Sequence, residues 1–291
     1  MDRLPSWIRR HLAALRALLV LTLVLGGAYP LLVTGVAQVV FSGNANGSLV
    51  QSEDGKTVGS AIVGQNFTDA DGKPIRKYFQ SRPSAAGDGY DMLATSASNL
   101  GPEDVVDVPP VPGAENAAGE PEEGRQSLLT RICARSKAVG ELEGVSGARP
   151  YCTPDGVGAV LKAFPAVGAP ARVVSVNQAC PAAPFVAVYQ GVKVECAEPG
   201  EDYAAGRTVP IRGDARATVP ADAVTAGGSG LDPHISPAYA ELQAPRVARE
   251  RGLPVRTVRQ LIRDNTTGRS LGFMGEPGVN VLRLNLALDR G

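Results

Sequence analysis

Between Ala17 and Phe41 the chain runs for 25 consecutive residues without a charge, directly behind a head that carries Arg3, Arg9, Arg10 and Arg16 against the single acid Asp2. A helix rises about 1.5 Å per residue, so about 20 residues cross a hydrocarbon core about 30 Å thick, and this stretch is long enough to do so. The next basic residue is Lys56. Short basic flanks stay in the cytoplasm, which assigns residues 1–16 to a cytoplasmic head, 17–41 to a single-pass transmembrane helix and the rest of the chain to the outside. A cleaved secretory signal competes with this reading, because Gly35-Val36-Ala37 offers a small-x-small site. Signal cores of about 7 to 15 residues are shorter than this run, however, and its apolar character continues through Val39, Val40 and Phe41. The spacing favours an anchor, and either reading exports the body of the chain.

That body is large enough for a real hydrophobic core. Lys plus Arg equals Asp plus Glu at 29 each, so no global field draws in nucleic acid or an anionic surface. Local composition is uneven. From Glu103 to Glu123 there are seven acidic residues, no basic ones and four prolines, which reads as a linker that resists burial. Cys133, Cys152, Cys180 and Cys196 all follow within 64 residues. In an oxidising compartment they imply two disulfides with three possible pairings, and the lack of any CxxC element argues against zinc. Residues 103–217 therefore read as an insertion, with an acidic linker at 103–124 and a cysteine-bearing subdomain at 125–217.

Thr57–Val63 has strand composition behind the turn signal Asp54-Gly55. Tyr78–Pro102 reads as ordered loop. Leu128, Leu129 and Ile132 predict a short amphipathic helix that carries Cys133, and prolines between Val157 and Ala187 predict short strands and turns. Ser236-Pro237 is a helix start, with an end near Gly252 and a kink at Pro245. Pro254 opens a second helix with apolar Val255, Val258, Leu261 and Ile262, and Gly268 lies past its end. Leu282, Leu284, Leu286 and Leu288 alternate with other residues and predict a half-buried strand. The expected fold is α+β: residues 42–102 and 218–291 as one extracytoplasmic domain, interrupted by the insertion.

The motifs of catalysis are mostly missing. Gly55-Lys56-Thr57 imitates the end of a Walker loop, but Val50 stands where its opening glycine belongs. Gly227-Gly228-Ser229-Gly230 is followed by Leu231 and is not a nucleophile elbow. Only His11 and His234 exist, and no HExxH occurs. The densest polar cluster runs from Gly228 to Ser236, where Asp232 and His234 could form an acid/base or cation-coordinating pair. With no third partner visible, a glycine-permitted loop that sets the start of a helix, and that could serve as a docking surface, is the better reading. The arginines from Arg246 to Arg290 alternate with Glu250, Asp264, Glu276 and Asp289 and read as a solvated face. Within the anchor, Pro30, Thr34 and Gln38 fall on one side of the helix beside Gly27 and Gly35. Polar atoms there are costly against lipid and acceptable against another helix, or at the outer interface for Gln38. No catalytic or metal-ligating residue is assigned.

Several segments together resemble the C subunit of the bacterial Kdp potassium-transporting P-type ATPase. They are Tyr29-Pro30-Leu31-Leu32-Val33-Thr34-Gly35, Gly59-Ser60 with Gly64-Gln65-Asn66-Phe67, Tyr78-Phe79 with Arg82-Pro83-Ser84-Ala85, and Ala94 to Pro102. Beyond the insertion come Gly228 to Pro237, Gly272-Phe273-Met274-Gly275-Glu276-Pro277 and Asn280 to Asp289. The resemblance covers residues 16–102 and about 218–289, while the cysteine-bearing part inherits nothing from it. It implies an accessory, non-catalytic subunit in the bacterial inner or plasma membrane, partnered by a channel-like potassium-translocating subunit, an ATP-hydrolysing subunit and a small single-helix subunit. ATP and potassium are then handled by the complex, and no cofactor is assigned to this chain. In the family this subunit is viewed as a catalytic chaperone that raises the ATP affinity of the hydrolysing subunit. The residues expected at partner contacts are Gly27, Pro30, Thr34, Gly35, Gln38, Ser60, Gln65, Phe67, Asp232 and His234. The alternative is a stand-alone, membrane-anchored extracytoplasmic enzyme or binding module, which would need a convergent catalytic set.

Overall fold

A computed structural model describes residues 5–290 except 117, 118 and 122. Asp2 and Arg3 of the basic head and Glu122 of the acidic linker lie outside the described residues. The chain divides into two units, residues 1–62 and 63–291.

The first unit is dominated by one apolar helical rod, Ser6–Val40, of 35 residues, whose most apolar stretch of 18 residues has mean hydropathy 2.1 and no buried residue. Among the described residues it is the single helix long and apolar enough to cross a membrane. At about 1.5 Å per residue it reaches about 50 Å, and Arg9, Arg10 and Arg16 of the basic head lie on the same helix. The rod consists of α1 (Ser6–Leu23), a π-helical turn (Val24–Ala28) and α2 (Tyr29–Val40). The π turn has a local cause. Pro30 has no N–H to give the carbonyl four residues back, and glycines at 26 and 27 let the ladder widen there. A helical turn, α3 (Ser42–Ala45), follows, and then a hairpin of β1 (Leu49–Gln51) and β2 (Thr57–Ser60). The strand expected to reach Val63 ends at Ser60.

The second unit is α+β. Its helices are α4 (Leu128–Glu143), α5 (Pro237–Arg251), α6 (Val255–Asp264) and α7 (Val281–Asp289). A five-stranded sheet has the order β5-β6-β4-β3-β7, formed by β3 (Val160–Phe164), β4 (Arg172–Ala179), β5 (Val188–Tyr189), β6 (Val192–Ala197) and β7 (Arg207–Pro210). Its pairs are antiparallel except β4 with β6. A small sheet of order β8-β10-β9 joins β8 (His234–Ile235), β9 (Thr266–Thr267) and β10 (Gly278–Asn280). Tyr78–Pro102 is loop throughout, apart from turns and bends.

The sequence signals at α5 act as expected. The Ser236 hydroxyl accepts the Tyr239 N–H at 3.0 Å, Pro237 occupies the first turn, and Gly252 closes the helix in the left-handed region. The helix assignment runs on through Pro245. α6 ends earlier than Gly268 suggested, because Asn265 and Thr266 return their side chains to the carbonyls of Leu261 and Ile262 and satisfy the last turn.

The leucine-rich C-terminal segment is a helix, not the expected strand. Asn280 caps it by accepting the Arg283 N–H at 3.0 Å. Val281, Leu284, Asn285 and Leu288 are buried at helical spacing, with Leu282 buried beside them. Leu284 and Leu288, four residues apart, satisfy a period of 2 and a period of 3.6 alike, and the cap decides between them. This helix packs into the main core with Phe79, Ile235, Tyr239, Val247, Val258 and Ile262.

The inserted segment is not an appendage. The disulfides pair Cys133 with Cys152 and Cys180 with Cys196. Helix α4 is longer than expected at 16 residues, and its Ile132 and Val139 pack on the main core while its Leu129 packs against the five-stranded sheet. The acidic stretch is loop, yet it is not loose. Asp104 accepts the Leu128 N–H, and Asp107 accepts the Ser127 N–H and the Thr130 hydroxyl, each at 2.8 Å. Two carboxylates thus satisfy the exposed N–H groups at the start of α4, while Val105 and Val106 pack against the sheet.

Candidate functional site

Three stretches far apart in sequence meet at one surface cleft of about 460 Å³: Arg82, the segment Asp222–Ser236, and the loop from Thr267 to Gly278. Asp232 is its centre. One carboxylate oxygen takes Arg82 Nη1 at 2.9 Å, and the other takes the His234 backbone N–H at 3.0 Å and lies 3.3 Å from His234 Nδ1. Arg82 also donates Nη2–H to the Thr225 carbonyl at 3.3 Å, while its buried Nε has no acceptor among the described residues.

Burial works to raise the Asp232 carboxyl, but the hydrogen bonds from His234 and Arg82 and the guanidinium charge overcome it and hold the pKa at about 2. An aspartate held down in this way stabilises the folded state fully above its ordinary value of 3.8, and that contribution disappears as pH falls towards about 2. Asp232→Asn is therefore expected to flatten the acid limb of the stability curve between those limits. Denaturant midpoints at stepwise pH measure it, and equal slopes for variant and parent would refute the assignment.

The walls of the cleft are fixed by further bonds. The Asp222 carboxylate receives both the Ser236 N–H at 2.7 Å and the Ser236 hydroxyl at 2.9 Å. The Tyr90 hydroxyl donates to the Arg82 carbonyl at 2.7 Å, and burial pushes its pKa up to about 12. Ser84 Oγ donates to the Gly230 carbonyl at 2.7 Å, and the Gly64 N–H to the Leu231 carbonyl at 2.8 Å. Gly230 lies at φ +70, where an added Cβ would stand 2.7 to 2.9 Å from Ala86 and the Ser96 carbonyl. Only glycine fits that backbone.

Beside the cleft the loop carries an apolar tip. Ser270 and Met274 exchange backbone hydrogen bonds, and Arg269 meets Glu276 at 2.6 Å. Above this clamp Leu271, Phe273 and Met274 are 82%, 72% and 53% exposed, and Leu271 is held at φ 53. A strained, exposed leucine next to an exposed phenylalanine contributes nothing to the core. Such a pairing is characteristic of recognition surfaces.

Of the residues expected at contacts, Asp232 and His234 come together here. Gln65 and Phe67 belong to the same unit: the Gln65 main-chain carbonyl accepts the Ser81 hydroxyl at 2.8 Å, and half-buried Phe67 packs on the core. Ser60 donates to the Gly47 carbonyl at 2.7 Å within the first unit. Gly27 falls in the π turn, and Pro30, Thr34, Gly35 and Gln38 lie on α2. Gln38 pairs amide to amide with Asn46 at 3.3 and 3.4 Å, so its polar end is satisfied within the chain. Arg82, Asp222 and Tyr90 were not singled out as contact residues. An arginine amid a Ser/Pro/Gly-rich loop was the available signal for the first of them.

These features define a class of protein: an α+β body and one long apolar helix, with a cleft on the body where Arg82, Asp232 and His234 pair beside an exposed apolar tip. The family pattern described as K+-transporting ATPase, c chain, matches residues 11–121 and 201–290. The chain belongs to the KdpC family. It is 37% identical over 282 residues to the potassium-transporting ATPase KdpC subunit of Mycobacterium tuberculosis, covering 97% of this chain and 98% of that one. The proteins of the same name from Gemmatimonas aurantiaca and Caulobacter vibrioides are each 36% identical, covering 94% and 92% of this chain and 92% and 86% of their own. The family pattern passes over residues 122–200, where all four cysteines lie.

Proposed function

We propose that the chain is an accessory, non-catalytic subunit of an ATP-driven potassium-uptake complex. Its apolar helix spans the membrane with the N-terminus in the cytoplasm, and its α+β unit works outside. The observation that carries this reading is the convergence of Arg82, Asp232, His234 and the 267–278 loop, all from segments shared with the family, on one cleft flanked by a preorganised apolar tip. The Asp232 carboxylate already has Arg82 on one oxygen and His234 on the other. That arrangement suits a rigid recognition surface better than proton transfer.

In this reading the α+β unit contacts the external face of a channel-like potassium-translocating subunit. The helix contacts partner helices through Gly27, Pro30, Thr34 and Gly35, where small residues let a neighbouring backbone approach closely. Because the body lies outside, any effect on the ATP affinity of a hydrolysing subunit travels through those helix contacts.

The test is recovery of partners. Purified from its native membrane in mild detergent, the chain should bring large polytopic subunits with it, and a Leu271→Ser/Phe273→Ser variant should bring far less while keeping its unfolding midpoint. The substituted side chains are exposed, so their removal costs the fold little. Parent protein recovered alone would defeat the reading.

A further inference from the structure

The segment that the family pattern passes over is wired into the part that it matches. Glu143, the last residue of α4, enters the main core, where each of its carboxylate oxygens lies 3.0 Å from Arg246 Nε and both side chains have 0% exposure. The rest of that guanidinium donates to the Gln243 side-chain oxygen at 2.9 Å and to the main-chain carbonyls of Arg76 and Tyr78. Gln243 in turn accepts the Gln80 N–H at 2.7 Å and donates to the Gln80 carbonyl at 3.1 Å. Two residues further on, Arg82 meets Asp232. Without the Glu143 charge a buried guanidinium would stand uncompensated, so the placement of residues 76–82 depends on α4 being in position.

A disulfide holds α4 there. Cys133 on the helix is bonded to Cys152 on the loop that returns beneath it, a separation of 19 residues. The two are packed without slack: Ser136 Oγ donates to the Gly147 carbonyl at 2.8 Å, and a Cβ at Gly147 would stand 2.5 Å from the Ser136 carbonyl oxygen. A groove of about 630 Å³ opens onto both cysteines, with Lys137, Gly140, Gly144 and Gly147 along it. Cys133 is buried and Cys152 half-buried, so a small dithiol entering this groove meets the Cys152 sulfur first. The other disulfide, Cys180–Cys196, ties the end of β4 to β6, and that sheet packs through clusters separate from the core around Arg246.

We infer that Cys133–Cys152 is a redox-sensitive latch on the cleft. Oxidised, it seats α4, Glu143 and Arg246 and so fixes residues 76–82. A dithiol reductant supplies two electrons and two protons: the S–S bond breaks, Cys133 and Cys152 become thiols, and the dithiol closes to its own disulfide. The latch then opens and the Arg82 side of the cleft loosens. That this controls potassium-transport support rests on the accessory role proposed above, whereas the coupling within the chain does not.

Hydrogen exchange on the full chain in detergent reads the coupling at the Phe79 and Gln80 amides, which donate to the side chains of Asn285 and Gln243. Cys133→Ser/Cys152→Ser should accelerate exchange there on the order of 100-fold, the equivalent of a disulfide closing a loop of this size. Cys180→Ser/Cys196→Ser should leave those amides unchanged. Glu143→Gln, with both disulfides intact, should reproduce the acceleration. The inference is overturned if the two disulfide variants accelerate alike, if neither does, or if Glu143→Gln is silent. Should the first variant lose protection along the whole chain, Glu143→Gln decides alone. Partner recovery separates the layers: a latch variant that loses partners while the parent keeps them supports control of assembly. Parent protein that recovers none strikes the accessory role and leaves the exchange result standing.

Discussion

Arg246→Ala is expected to lower the stability of the folded α+β unit by about 3 to 5 kcal/mol, the usual result of deleting one partner of a buried ion pair. Glu143 would then stand in the core without its bonded cation, and the carbonyls of Arg76 and Tyr78 would lose their donor. Burial already pushes the Glu143 carboxyl up, and Arg246 pulls against it. With the arginine gone, only the weaker pull of Arg76 and Arg249 opposes burial, and the folded-state pKa climbs further. A carboxyl whose folded pKa exceeds its unfolded value contributes stability below the unfolded pKa and loses it as pH rises through the folded one. The deficit of the variant should therefore be smaller near pH 4 than near pH 8, which urea unfolding at both values measures. Arg246→Met/Glu143→Leu should recover most of the loss, since apolar replacement of both partners removes the charge that burial penalises. A deficit that is independent of pH would contradict this account of the pair.

Gly230→Val carries the second large effect. The position combines φ +70 with backbone atoms of Ala86 and Ser96 within 2.9 Å of any added Cβ. A β-branched residue held in the left-handed region costs about 1 to 3 kcal/mol, and overpacking against a main chain that cannot yield costs about as much again. The same residue offers its carbonyl to Ser84 and stands two residues before Asp232, so the Arg82–Asp232 pair should be displaced as well. Gly228→Ala is the internal control, because nothing lies within 4 Å of its Cβ and its φ is ordinary. Comparable losses at 228 and 230 would mean that loop glycines in general, and not the close approach at 230, carry the effect.

How far these features could be read from sequence follows the range of the interactions behind them. The long apolar helix, the Ser236-Pro237 start of α5 and its end at Gly252 were legible because each depends on residues within a turn or two of one another. The cysteines announced two disulfides, but their pairing depends on where α4 lies against the loop that follows it. The C-terminal leucines misled because a short apolar run satisfies both periods, and what settles the matter is Asn280, a favoured N-cap residue directly before the run. The acidic stretch was expected to shun burial as a composition, whereas Asp104 and Asp107 are held individually by the start of a helix.

By itself, then, the sequence determined one membrane-length apolar helix, an α+β body, a pair of cystines and membership of a recognisable family, since these are carried by composition, local periodicity and runs of adjacent residues. Only the tertiary structure decided that Arg82 closes on Asp232, that Glu143 reaches Arg246 across 103 positions, and that the inserted helix braces the core it interrupts. The reason is physical. A buried charge is tolerable only opposite its partner, and which distant residues become opposite is fixed by packing, not by neighbours along the chain.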